Sequence, residues 1–112
     1  MKKALVEELK DLAKASAEDD RLMAENDYVY ALFLKALAEA RKAMKKFPQP
    51  NYVISKVAEE SGEVVKAAIH AAEGREDLKE VEKESIQAMA MIIRLLVEGD
   101  QVHGLPPQEF PR

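Results

Sequence analysis

The sequence predicts an all-α protein: an antiparallel helical hairpin or bundle of about four helices, completed by oligomerisation. Three observations carry that expectation. Good helix formers (Ala, Glu, Lys and Leu) abound, while Gly is limited to four residues and Trp is absent. Apolar residues recur three and four apart in four separate stretches. Residues that start or stop helices stand between those stretches.

The first helix is expected from about Lys2 to Ala15, with Leu5, Leu9 and Leu12 as a thin apolar stripe. The cluster Glu18-Asp19-Asp20 interrupts it and supplies helix-start residues for the next element. The second runs from about Asp27 to Lys46. Its broad face includes Tyr28, Val29, Leu32, Phe33, Ala36, Leu37, Ala40, Ala43, Met44 and Phe47. Arg41, Lys42, Lys45 and Lys46 gather near its C-terminal end, where cations favour the helix dipole, and Pro48 and Pro50 stop it.

Asn51 is the expected N-cap of the third helix, and Gly74 its C-terminal left-handed residue. Val53, Ile54, Val57, Ala58, Val64, Val65, Ala68, Ile69 and Ala72 form the stripe expected to be buried. Asp77 with Glu80 three residues later opens the fourth helix as a variant capping box. Its apolar set is Val81, Ile86, Met89, Ile92, Ile93, Leu95, Leu96 and Val97, and it ends at Gly99. So short a link makes helices three and four an antiparallel hairpin. The fourth helix is apolar around much of its circumference, with Ala90 and Met91 off the main stripe, so it calls for cover from more than one side.

The chain of 112 residues is expected to hold one domain, residues 1–99, followed by a Pro-rich tail, residues 100–112, ordered by docking or loose. Its net charge of −4 argues against nucleic-acid coating and membrane-surface binding, both of which favour a basic excess. Cysteine is absent, which excludes disulfides, thiolate zinc sites and cysteine nucleophiles, and suits a cytoplasmic setting. Met-Lys-Lys at the start is followed by Glu7 and Glu8, so no signal-peptide apolar core is expected. No stretch reaches the ~18 apolar residues of a membrane span.

Carboxylates are the remaining chemical resource. Glu60 and Glu63 lie three apart on the third helix and converge on one side of it, with Glu59 joining laterally. Glu60 falls at the edge of the apolar stripe, where crowding and desolvation disfavour its charge and a divalent cation would relieve both. For three glutamates on an arbitrary helix, a solvated, charged face with Lys56 and Lys66 as partners is the favoured account. Hairpin geometry adds weight to the site. Glu63 and Glu84 stand at similar distances from the turn and so at similar height, with Glu60 and Gln87 level one turn further out. His70 lies on a similar face and reads as a substrate contact or a surface residue.

The run Lys56-Val57-Ala58-Glu59-Glu60-Ser61-Gly62-Glu63 resembles the K-x-x-E-E-x-x-E segment of the MazG-like, all-α nucleoside triphosphate pyrophosphohydrolases. The phosphoribosyl-ATP pyrophosphatases of that superfamily look similar here. The superfamily continues with E-x-x-D, and this chain has Glu84-x-x-Gln87, with Gln87 standing where the family has Asp. The resemblance covers roughly residues 51–98. It implies a hydrolase acting on a nucleoside triphosphate to give the monophosphate and pyrophosphate. Mg²⁺, or Mn²⁺, would be held by Glu60, Glu63, Glu84 and Gln87. Glu59 would be an outer ligand or water-activating base, and Lys56 and Arg94 would contact phosphate. Lys56 as an ion-pair partner of Glu60, and Arg94 as a solvated residue, are the plain readings. The resemblance also implies a homodimer or tetramer. Two other readings stay open: a catalytically degenerate nucleotide- or metal-binding protein, and a non-catalytic helical interaction protein.

Overall fold

The computed structural model describes residues 2–16 and 20–110. It is all-helical: α1 Lys2–Ser16, α2 Asp20–Lys46, α3 Val53–Ala72 and α4 Leu78–Glu98. Among the described residues the sole β-type pairing is an isolated bridge between Asp100 and Leu105. No described helix is long and apolar enough to cross a membrane. Of the acidic cluster expected to start α2, Glu18 and Asp19 lie outside the described residues, and Asp20 is its first helical residue. The helix begins seven residues before the expected Asp27, because nothing in Arg21–Asn26 breaks it.

The chain forms two compact units. One comprises residues 1–32 and 109–112, the other residues 33–108. In the first, Leu5, Leu9 and Leu12 are exposed along α1, and Lys2 Nζ stands 4.9 Å from the centre of the Phe110 ring. The second unit contains the α3–α4 hairpin and the C-terminal part of α2. Residues 100–108 of the expected tail belong to it.

The hairpin is defined by its ends. Gly74 has φ +74°, its N–H donates to Ala71 O, and Arg75 N–H donates to His70 O, a Schellman closure of α3. Asp77 occupies the N-cap of α4 and its carboxylate accepts from Lys79 N–H at 2.9 Å. Gly99 ends α4 with φ +72°, and a Cβ there would run into the backbone of Leu105 and Pro106.

The core of the second unit is built from small residues. Ala40 of α2 packs with Ala90 and Met91 of α4, flanked by Ala43, Met44, Val57 and Ile93. Val53, Ala67 and Ala88 are also buried. Short side chains let the helices approach closely but bury little apolar area per residue. This overturns part of the expected burial pattern. On α4 the off-stripe Ala90 and Met91 are buried, whereas Ile92, Leu96 and Val97 of the main stripe are exposed. On α3 the inner edge (Val53, Val57, Val64) turns inward, and Ile54, Ala58, Val65, Ala68, Ile69 and Ala72 are exposed. Both helices are apolar over more of their circumference than one chain covers.

The expected N-cap of α3 is also corrected. Tyr52, not Asn51, holds the cap position and makes no side-chain cap bond. The cap oxygen comes from Asp100, which accepts from Ile54 N–H at 2.9 Å. The same carboxylate accepts from His103 N–H at 3.0 Å and pairs with His103 Nδ1 at 3.1 Å. The Asp100–Leu105 bridge and a 2.9 Å bond from Gln108 N–H to Leu96 O dock the following segment. Residues 100–108 are therefore an ordered clasp joining the end of α4 to the start of α3.

Candidate functional site

α3 and α4 run antiparallel from the Gly74–Asp77 turn, so their acidic residues meet near the turn end of the hairpin. Glu63 of α3 and Glu84 of α4 line one open cleft of about 360 Å³. Lys66, His70, Glu76 and Glu80 complete its wall. His70 is half-buried there. Glu76 and Glu80 are site residues that the sequence reading missed. Glu80 stands one helical turn before Glu84, and that spacing was a usable signal.

Glu60 is half-buried one turn from Glu63 on α3. Burial first, then the charges of Glu84, Glu59 and Glu63, push its carboxyl above the usual range, with Lys56 opposing. The influence of Glu84 places the α3 and α4 carboxylates within electrostatic reach across the hairpin. Glu59 is exposed and pairs with Lys56 Nζ at 3.8 Å. Lys56 thus forms its ion pair with Glu59 rather than with Glu60.

Gln87 has a specific partner that the sequence reading did not anticipate. Its amide stands close enough to Glu39 of α2 to lower that carboxyl. Lys42 also binds Glu39, at 3.0 Å. The Lys42 hydrogen bond lowers the Glu39 carboxyl most, burial opposes it, and the Gln87 amide lowers it further. A carboxylate therefore stands beside the position where this chain carries an uncharged amide.

Arg94 does not join these residues. It is 1% exposed and donates to Glu98 and to the carbonyl oxygen of Phe47. Its guanidinium ties α4 to the end of α2, so both the phosphate contact and the solvated residue give way to a structural role. Gln49 extends this polar junction. Its amide nitrogen donates to Glu98 at 3.1 Å, and its amide oxygen accepts from Gln101 N–H at 2.9 Å.

Glutamate oxygens and an amide oxygen suit a hard divalent cation such as Mg²⁺. Among the described residues, however, no three His, Asp or Glu side chains are gathered closely enough to hold a metal ion. The carboxylates share a face and repel one another, without forming a closed ligand cage. The chain matches no family model, no curated protein and no solved structure.

Proposed function

We propose that the protein is a Mg²⁺-dependent nucleoside triphosphate pyrophosphohydrolase. The observation that supports this most is the facing of Glu60 and Glu63 on α3 with Glu84 on α4, where Glu60 is disfavoured as an anion by burial and by its acidic neighbours. Such a face has a standing electrostatic reason to take up a divalent cation.

In this reading water attacks the α-phosphorus, the bond between that phosphorus and the α–β bridging oxygen breaks, and nucleoside monophosphate and pyrophosphate leave. Glu60, Glu63, Glu84 and Gln87 would hold Mg²⁺, or Mn²⁺, with the Glu39 carboxylate beside Gln87. When bound, the cation neutralises phosphate charge and acidifies water. Glu59 accepts the proton of the attacking water. Lys56, one helical turn before Glu60, contacts phosphate. Lys66 and His70 lie on the cleft wall, where they can meet the remaining phosphate oxygens. The chain acts as a homodimer or tetramer in the cytoplasm, without nucleic acid or membrane partners.

A nucleotide- or metal-binding protein without turnover is the second reading, favoured by the lack of a preassembled three-donor group among the described residues. Pyrophosphate release from a panel of ribo- and deoxyribonucleoside triphosphates separates the two. Metal-dependent release supports the hydrolase, and a Mg²⁺-dependent thermal shift without release supports the binder. Neither signal from any nucleotide removes both.

A further inference from the structure

We infer that the outer face of α2 between Leu34 and Lys46 is a docking surface for a short acidic segment of another protein. This inference does not depend on the hydrolase reading. The chain as a whole has 21 acidic and 17 basic residues, yet residues 33–52 reverse that balance. They hold Lys35, Arg41, Lys42, Lys45 and Lys46 against a single carboxylate, Glu39. All these cations are exposed. At about 100° per residue they share an arc of roughly 140° of the helix. The inward side, with Ala36 and Ala40 fully buried and Ala43 and Met44 against the core, lies opposite them.

The pairing of these cations sets the face apart. Elsewhere exposed lysines stand beside a glutamate three residues away: Lys10 with Glu7, Lys56 with Glu59 and Lys83 with Glu80. On this face Lys42 pairs with Glu39, and Lys46 Nζ lies 5.5 Å from the centre of the Phe47 ring. Lys35, Arg41 and Lys45 have no carboxylate partner among the described residues. The helix dipole favours Lys45 and Lys46 in the last turn but gives no reason for Lys35 or Arg41. Arg41 with Lys45, and Lys42 with Lys46, are like charges four apart, a standing cost to the helix that a partner's carboxylates would remove. Extent and composition favour an acidic peptide over a nucleic acid. The face is about 17 Å long, and beyond it the acid excess of the chain repels a longer polyanion within the ~8 Å reach of charge at physiological salt. Leu34, 68% exposed, sits among the cations, and Phe47, 50% exposed, closes their C-terminal end. A peptide that alternates acidic and apolar residues uses both, whereas a phosphate backbone offers Leu34 nothing.

Fluorescence anisotropy on the full chain tests this. The probe is a labelled peptide of roughly 12 residues that repeats Glu-Glu-Leu, and the comparison is a single-stranded oligonucleotide of the same net charge. The peptide should bind at low salt, and its Kd should rise about 10-fold or more toward physiological salt. Replacing Arg41 and Lys45 together by Gln should weaken binding about 10-fold with helical content retained, since both are exposed. Replacing the exposed Lys79 and Lys83 of α4 together by Gln removes the same charge elsewhere and should leave the Kd unchanged. The salt series on the wild type stands even where the Arg41/Lys45 variant misfolds. No peptide binding at low salt overturns the inference, as does a Kd indifferent to salt. Equal weakening by the two double variants overturns it too, because binding then follows net charge and not this face. An oligonucleotide bound as tightly as the peptide assigns the face to nucleic acid and overturns the peptide reading.

Discussion

The Asp100 carboxylate, one residue beyond the glycine that ends α4, caps the first turn of α3 by accepting the Ile54 N–H at 2.9 Å. Forty-six residues separate the two partners, and the bond fixes the axial position of the helix that bears Glu59, Glu60 and Glu63. Asp100→Ala leaves the N–H groups of Ile54 and His103 without that acceptor, and an Asn substitution keeps one acceptor but no charge. The expected fall in Tm is roughly 5 °C for Asp100→Ala and less for Asp100→Asn, read by thermal circular dichroism.

Acid titration gives the same contact a pH signature. Burial pushes the Asp100 carboxyl up, but bonds from Ile54 N–H, His103 N–H and the His103 ring, with the His103 charge, hold it down at about 2. A depressed native value means that the unfolded chain binds the proton first. The stabilisation is therefore complete above about pH 4 and lost as pH falls toward 2. Wild-type and Asp100→Asn stabilities should differ at pH 6 and converge near pH 2 in urea unfolding.

Glu60 has the opposite sign. Its carboxyl is raised by burial and by Glu84, Glu59 and Glu63, so its charged form is disfavoured in the fold. Its favourable contribution is complete below the ordinary carboxylate range and lost as pH rises through the folded value. Glu60→Gln should stabilise the metal-free protein at pH 7 by on the order of 0.5 kcal/mol, with the gain vanishing below pH 4. Added Mg²⁺ should raise the Tm of the wild type more than that of the variant.

Arg94 is buried with Glu98 as its ion-pair partner and the Phe47 carbonyl as its second acceptor. Arg94→Ala leaves both without a donor and should cost roughly 3 kcal/mol in urea unfolding. Arg94→Lys keeps the charge but loses the fork that reaches both acceptors, and should fall between. Since Arg94 takes no part in the cleft wall, KM for a nucleotide measured on folded Arg94→Lys should match the wild type.

Gln87→Asp places a second carboxylate beside Glu39 and removes the amide that lowers the Glu39 carboxyl. The metal-free variant should lose a few degrees of Tm. Its Mg²⁺ midpoint, read by thermal shift, should drop several-fold, because an anionic ligand replaces a neutral one. An unchanged midpoint would place residue 87 outside the cation's reach.

The helix ends nearest the hairpin turn were legible because their signals are local. Asp77 accepts from Lys79, and Gly74 and Gly99 both take a positive φ at the ends of α3 and α4. The meeting of Glu63 with Glu84 in one cleft was legible for a simple reason: both stand at similar distances from one short turn. The Asp100 cap was not, since no local pattern links residue 100 to residue 54. The choice of buried face on α4 was also hidden. Apolar residues surround that helix, so periodicity could not select Ala90 and Met91 over Ile92 and Leu96; close packing against Ala40 did. Glu39 went unnoticed because its connection to Gln87 depends on how α2 packs. The spacing of Arg94 and Glu98 permits an ion pair, but depth of burial is not written in a spacing.

Pyrophosphate release by wild type and Glu63→Gln, matched for helical content, tests the central claim most directly. The account expects wild type to liberate pyrophosphate and nucleoside monophosphate from at least one nucleoside triphosphate, only with Mg²⁺ or Mn²⁺ present. Glu63→Gln should be at least 10-fold slower at saturating nucleotide, since one carboxylate of the α3–α4 face is then neutral. Equal rates for the two proteins, or no release from any nucleotide with either metal, would contradict it.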